Sequence, residues 1–548
     1  MGTAGSGLLT IATLVLMLAV VHVPLGDYIA RVFTSTRDLR VERVAYRLCG
    51  VDPRSEQRWS TYAVSVAGFS VASLVTVFAL IQWQGSLPLA RGAAMDTDTA
   101  INTAISFVTN TNWQSYAGEA GASAVVQTLA LAVQNFVSAA VGLAVAIALV
   151  RGLARDASGT IGNFWVDLTR GVVRVLLPIA FIGAVVLLAG GVVQNLNAPE
   201  TVGTLSGGHQ TIQGGLVASQ ESIKLLGTNG GGYFNANSAH PFENPNAVTN
   251  LVEIFLLLLI PFSLPRTYGR LVGDRRQGYA VLGLMATLWA AMLTVITWAE
   301  VSASSGPLGA MEGKEVRFGV WASALFANST TGTSTGAVNS MHESYSAIGG
   351  GGALTNMLLG EISPGGVGAG LYGVLVIAVL AVFIAGLMVG RTPEILGKTI
   401  GRREITCVAL VTITTPALVL LGTGAALANG AAQDGMLSGG AHGLSEMLYA
   451  FASASNNNGS AFAGLTADQP YLNLTLGACM LIGRFVPIAL ILMLAGSLAA
   501  QRKRPVTDGT MPTHTPLFTG LMVGVALLVT GLTFLPALAL GPLAEALS

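Results

Sequence analysis

An all-α membrane protein with about ten transmembrane helices, arranged as four membrane-pore-membrane repeats around one central pore, is the fold this sequence predicts. Three features carry that prediction. Ten apolar stretches are long enough to span a bilayer, the basic residues gather on one side of them, and a polar, glycine-rich cluster recurs four times on the other side.

The apolar stretches come first. Of 548 residues, 52% are hydrophobic and 10% charged, and mean hydropathy is +0.65. Globular domains carry roughly 25% charged residues, so most of this surface faces lipid. The stretches fall at about 7–30, 61–83, 124–150, 172–193, 248–265, 279–299, 367–389, 406–428, 472–498 and 516–540, each near the roughly 20 residues a spanning helix needs. The first has no basic residues ahead of it and is followed by Arg31, Arg37 and Arg40. That pattern predicts a retained helix with its N-terminus outside, not a cleaved leader. Cys49, Cys407 and Cys479 are scattered and odd in number, which gives no disulfide or metal framework.

The charges then set the orientation. If the ten stretches alternate, the segments on one side hold 22 of the 27 basic residues: Arg31 to Arg58, Arg151 to Arg174, Arg266 to Arg276, Arg391 to Arg403 and Arg502 to Arg504. The positive-inside rule makes that side cytoplasmic and puts both termini outside. The other five are Arg91, Lys224, Lys314, Arg317 and Arg484.

The outward segments repeat. They read "AISFVTNTNWQSY" (104–116), "IKLLGTNGGGYFN" (223–235), "LFANSTTGTSTGAVN" (325–339) and "LYAFASASNNNGSAF" (448–462), about 105–125 residues apart. Each lies between two apolar stretches, so the unit is membrane helix, re-entrant segment, membrane helix. The chain divides into a first helix and inner loop (1–58), repeats at 59–155, 166–276, 277–400 and 401–504, and a last helix (505–548).

Non-helical backbone survives at membrane depth only where protein or a water-filled cavity satisfies its polar groups. Glycine allows conformations that turn carbonyls toward one axis, and Thr, Ser and Asn add hydroxyl and amide oxygens. Four such segments form an uncharged oxygen ring suited to a dehydrated monovalent cation. A divalent ion would call for carboxylates, and the clusters contain none.

Other residues divide between special and ordinary roles. Arg484 is the one basic residue in the middle of a predicted span, where a charge marks a pathway or a paired structural site. Residues 337–366 are polar and glycine-rich for the start of a membrane helix, which predicts a broken third-repeat helix with an irregular loop. Lys224 and Glu221 read as local charge balance, the six histidines lack ligand spacing, and Trp83, Trp113 and Trp165 are expected at membrane interfaces. "RTPEILGKTIGRR" (391–403) contains Gly-Lys-Thr, but Thr392 replaces the first glycine of a phosphate loop and the segment follows a membrane helix. The chain is therefore not expected to hydrolyse ATP itself.

The clusters "FVTNTNWQ", "LGTNGGGYFN", "STGAVNSMH" and "SNNNGSAFAGL" resemble the family of potassium-binding subunits of the bacterial Kdp P-type ATPase. So do "LAVFIAGLMVGRTPEILGK" (380–398), "LIGRF" (481–485) and "LTFLPALALGPLAEALS" (532–548). The resemblance covers nearly the whole chain and implies a superfamily of potassium transporters with four membrane-pore-membrane repeats. It implies high-affinity potassium uptake: potassium is selected outside and passes through an intramembrane tunnel to a partner that hydrolyses ATP. Carried over by position, the ligands fall on Asn110, Thr111 and Asn112; Thr228, Asn229 and Gly230; Ser334, Thr335 and Gly336; and Asn457, Asn458 and Gly459. Gln114 matches a position that affects ion affinity, and Arg484 becomes a positive charge below the filter that opposes free flow. Thr335 stands where some relatives carry a cysteine, and a hydroxyl suits a hard cation at least as well. The loop within 337–366 is placed to gate the cavity or open it toward the tunnel.

The resemblance also implies a KdpB-like P-type catalytic subunit, accessory KdpC-like and small KdpF-like membrane subunits, a bacterial plasma membrane location, potassium as cargo with no cofactor, and no nucleic acid. A self-sufficient potassium channel or ion-coupled transporter of the same superfamily is the alternative. A membrane enzyme would need clustered acid, base or metal groups that this sequence lacks.

Overall fold

The computed structural model describes residues 3–87, 95–197, 200–303, 311–505 and 510–547; Arg91, assigned to the outer side above, lies outside them. Among the described residues ten helices are long and apolar enough to cross a membrane, and each falls on a predicted stretch. In order they are Ala4–Thr34, Trp59–Gln82, Val126–Ala154, Phe164–Ala189, Ala247–Leu271, Arg275–Ala303, Ala369–Met388, Arg402–Leu427, Pro470–Ala500 and Pro516–Leu547.

A shorter helix lies between the two spans of every repeat: Thr97–Val108, Val217–Leu226, Gly319–Gly332 and Gly440–Asn456. These pore helices turn their C-terminal halves into the protein, where their side chains are buried. In the first, second and fourth repeats the second span is the more buried, inner one, while the two spans of the third repeat are equally buried. The apolar window of the third span is 83% buried against 22% for the second, and that of the ninth is 56% buried against 17% for the eighth. Small residues allow this inner packing. A side chain at Gly142 would strike the carbonyl of Val367, and one at Gly152 would lie 2.6 Å from the carbonyl oxygen of Ala495.

The first and tenth spans are additions to the repeats. The first packs along the fifth, where Asp27 Oδ1 pairs with Arg266 Nε at 2.7 Å. The tenth packs on the sixth and seventh.

The third repeat is broken as predicted. A helix over Ala347–Leu358 stops, residues 359–368 run irregularly, and the seventh span begins at Ala369. The Gly-Lys-Thr segment is a two-stranded hairpin, Glu394–Ile395 against Lys398–Thr399, with Lys398 Nζ donating to the Gln501 carbonyl at 2.5 Å. One tryptophan corrects the sequence reading. Trp83 is 69% exposed, but Trp113 is 2% exposed, because its indole N–H is satisfied inside by Ser115 Oγ at 3.2 Å. Interface preference of tryptophan reflects a need for one polar contact, and here the protein supplies it.

Candidate functional site

The four pore helices end alike. The residue after the last turn takes the left-handed conformation in every repeat: Asn110 (φ 68°), Thr228 (φ 49°), Ser334 (φ 60°) and Asn457 (φ 60°). The next backbone N–H then bonds back five residues, Thr111 to Ser106 (2.9 Å), Asn229 to Lys224 (2.9 Å), Thr335 to Thr330 (3.1 Å) and Asn458 to Ser453 (2.8 Å). This is the Schellman cap, which satisfies a carbonyl at the helix end while turning the chain. Asparagine, threonine and serine occupy the strained position because the repeats also use their side chains there.

Those side chains and backbones link the segments in a closed circle. Asn110 Nδ2 donates to the Thr228 carbonyl at 3.0 Å, and the Gly336 N–H donates to the Asn229 carbonyl at 3.0 Å. Ser334 Oγ donates to the Asn456 carbonyl at 3.0 Å. Asn457 Nδ2 returns to the first segment at Thr111 Oγ1, 2.9 Å away. The structure therefore joins the four segments that carry the twelve predicted ligand residues into one ring. Gln114 adds a brace above it: its amide accepts from the Gly232 N–H at 2.9 Å and donates to the Gly232 carbonyl at 3.2 Å.

Within the ring several asparagine amides are struts. Asn110 Oδ1 accepts from Ser138 Oγ of the third span at 2.7 Å. Asn457 Nδ2 also reaches the Met480 carbonyl of the ninth span at 3.0 Å. Asn458 Oδ1 accepts from Ser460 Oγ at 2.5 Å. Gly230, with φ 113°, gives its carbonyl to Asn237 Nδ2 at 2.7 Å. Four pore-helix C-termini and their carbonyl ends thus meet in a ring whose own four segments carry no carboxylate, and each helix end carries about half a negative charge.

Below the ring lies a cavity of about 160 Å³ whose lining includes Ser334, Glu361, Tyr372, Asn457, Arg484 and Thr530. The irregular segment 359–368 forms part of its wall and is tied to the ring, with the Gly365 N–H on the Gly332 carbonyl at 2.7 Å and the Val367 N–H on Thr228 Oγ1 at 3.0 Å. Thr228→Val removes that acceptor and leaves a buried N–H unpaired, which costs about 1–3 kcal/mol. Faster hydrogen exchange across 359–368 is the expected result.

The family model described as "Potassium-transporting ATPase A subunit" matches residues 12–547. The chain belongs to this family. It is 61% identical over 553 residues to the potassium-transporting ATPase potassium-binding subunit of Kineococcus radiotolerans, covering 100% of this chain and 99% of that one. It is 59% identical over 549 residues to the protein of the same description from Streptomyces coelicolor, at 99% of each. Its fold is similar to the solved structure of the potassium transporter TrkH from Vibrio parahaemolyticus, with TM-score 0.55, 15% identity, and 88% and 96% of the two chains covered. At that identity the likeness concerns fold alone.

In this family member the structure adds an acidic residue that sequence reading missed and places Arg484, which it singled out. Glu361 is buried under the ring and accepts from Asn458 Nδ2 at 2.8 Å. Arg484 is buried on the cavity wall and joins none of the ion pairs formed among the described residues. The pinning salt bridge allowed by the sequence is thus not formed among them. A side chain at Gly142 would lie 3.3 Å from its Nη2, so glycine there leaves the guanidinium its space.

The fourth position before each left-handed residue also matters. Three repeats place a hydroxyl there. Ser106 Oγ donates to the Trp113 carbonyl (3.0 Å), Thr330 Oγ1 to the Thr335 carbonyl (2.7 Å), and Ser453 Oγ accepts from the Gly459 N–H (2.9 Å). The second repeat has Lys224, whose Nζ pairs with Glu221 (2.6 Å) and Glu243 (2.7 Å) and donates to Asn237 Oδ1 (2.8 Å). The charge-balance reading of Lys224 and Glu221 holds, but the cluster also supports the asparagine that grips Gly230. Lys224→Met strands two buried carboxylates, and breaking such a pair costs about 3–5 kcal/mol. The purified variant should lose thermal stability accordingly, read from its melting transition.

Proposed function

We propose that this chain is the potassium-binding and translocating subunit of an ATP-driven potassium uptake complex. The ring is its selectivity filter, and the ion passes through the cavity below and an intramembrane tunnel to a P-type ATPase partner. The single observation that carries this reading is the closed ring of four similarly capped pore helices, whose negative ends converge on segments that carry no carboxylate of their own, with Glu361 held below them by the Asn458 amide. Such a centre attracts a cation while lacking the charged oxygens a divalent ion requires. The ligands are Asn110, Thr111 and Asn112 with Thr228, Asn229 and Gly230, and Ser334, Thr335 and Gly336 with Asn457, Asn458 and Gly459, acting chiefly through backbone carbonyls and threonine hydroxyls.

In this reading both termini and the filter face outward across the plasma membrane, and ATP is hydrolysed by a KdpB-like partner with KdpC-like and KdpF-like subunits alongside. The relatives' descriptions as ATPase subunits, matched over almost their whole length, favour it over a self-sufficient channel or ion-coupled transporter.

Co-expression with a P-type subunit and purification through this chain tests the proposal. The complex should hydrolyse ATP in response to potassium and not sodium, while the chain alone hydrolyses none. Potassium uptake into vesicles by the chain alone, unchanged when the partner and ATP are added, would overturn it.

A further inference from the structure

We propose that the inner-loop helix Arg40–Leu48 is an interfacial anchor for anionic phospholipid headgroups. The helix reads RVERVAYRL and joins the inner ends of the first and second spans. At about 100° per residue its side chains fall into three stripes. Glu42 and Tyr46 form the first and are buried against the protein. Val41, Val44 and Leu48 form the second and are 63%, 55% and 82% exposed. Arg40, Arg43 and Arg47 form the third, beside the apolar one, and are exposed.

Ion pairs fix this orientation. Glu42 pairs with Arg174, and Asp38, just before the helix, pairs with Arg170 at 2.9 Å. Arg170 and Arg174 belong to the first three turns of the fourth span, which starts at Phe164. The helix therefore lies beside the inner end of a membrane-spanning helix, at the depth where hydrocarbon gives way to headgroups. The five residues between Thr34 and Arg40 are too short to carry it far from the membrane.

The exposed stripes suit that level. Aliphatic side chains enter the acyl boundary and arginines flank them, the composition of helices that lie in the interface. Arg40, Arg43 and Arg47 join no ion pair among the described residues, and guanidinium groups take phosphate oxygens in a two-point grip. Their charge complements an anionic inner leaflet.

The test uses the full chain in vesicles, with Leu48→Cys in a Cys49→Ser background. Cys407 and Cys479 are buried, so a fluorophore reports on the helix alone. The label should be shielded from aqueous iodide and quenched by headgroup-level spin-labelled lipid. Both effects should be several-fold stronger when about a third of the phosphatidylcholine is replaced by phosphatidylglycerol. Arg40, Arg43 and Arg47→Gln together should remove the phosphatidylglycerol increment. A label open to iodide in both vesicle types would overturn the proposal. So would shielding indifferent to lipid charge; if that shielding appears only on adding a P-type partner, the stripe is a protein interface instead.

Discussion

Gly230→Asp is expected to lower the apparent potassium affinity of uptake by about two orders of magnitude and to weaken rejection of sodium and rubidium. A side chain at Gly230 would overlap the backbone nitrogens of Gly336 and Ala337, the neighbouring segment that donates to the Asn229 carbonyl. The φ of 113° is outside the left-handed basin that asparagine tolerates, so any other residue adds about 1–3 kcal/mol of backbone strain. The two costs act on one link of the ring and together correspond to roughly a hundredfold change. Gly230→Ala should move affinity in the same direction by less, since it adds the overlap without the charge. Potassium dependence and sodium rejection measured in cells relying on this complex decide the matter; wild-type values in both variants would remove Gly230 from the filter.

Arg484→Gln is expected to raise passive potassium leak or to lower the uptake obtained per ATP. At an effective dielectric near 20, a unit charge roughly 8 Å from a potassium ion would oppose its advance by ~2 kcal/mol, a factor of roughly 30, and the buried Arg484 guanidinium puts such a charge on the cavity wall. Glu361 lines the same cavity but forms no ion pair with the guanidinium, so it offsets this charge only in part. Arg484→Lys retains the charge and should retain most of the barrier. Flux through vesicles with ATP absent, compared for the three proteins, gives the answer; a glutamine variant with normal uptake and no leak would make Arg484 a purely structural residue.

Much of this was legible in the sequence because the membrane imposes periods. Spans must be apolar for about 20 residues, basic residues stay on one side, and a cap that places a polar residue in the left-handed region must recur if the repeat does. The four clusters could be found for that reason, and the family resemblance then aligned Asn110, Thr228, Ser334 and Asn457 within them. Glu361 could not, since it meets Asn458 across 97 residues of chain from a glycine-rich break that follows no period. Lys224 was hidden differently. Its equivalence to Ser106, Thr330 and Ser453 appears only once the caps are superposed, and a lysine among hydroxyl-bearing positions looks like an interruption. The strut role of the asparagine amides was also invisible, because composition counts oxygens without showing which are already engaged.

The circle of bonds through Thr228, Gly336, Asn456 and Thr111 behaves like a hoop. Its girth is a property of the whole loop, so slackening at any one join is shared by the other three. Two lesions at different joins should together do less harm than the sum of their separate effects, and residues hundreds of positions apart in the chain become, for ion choice, a single inherited unit.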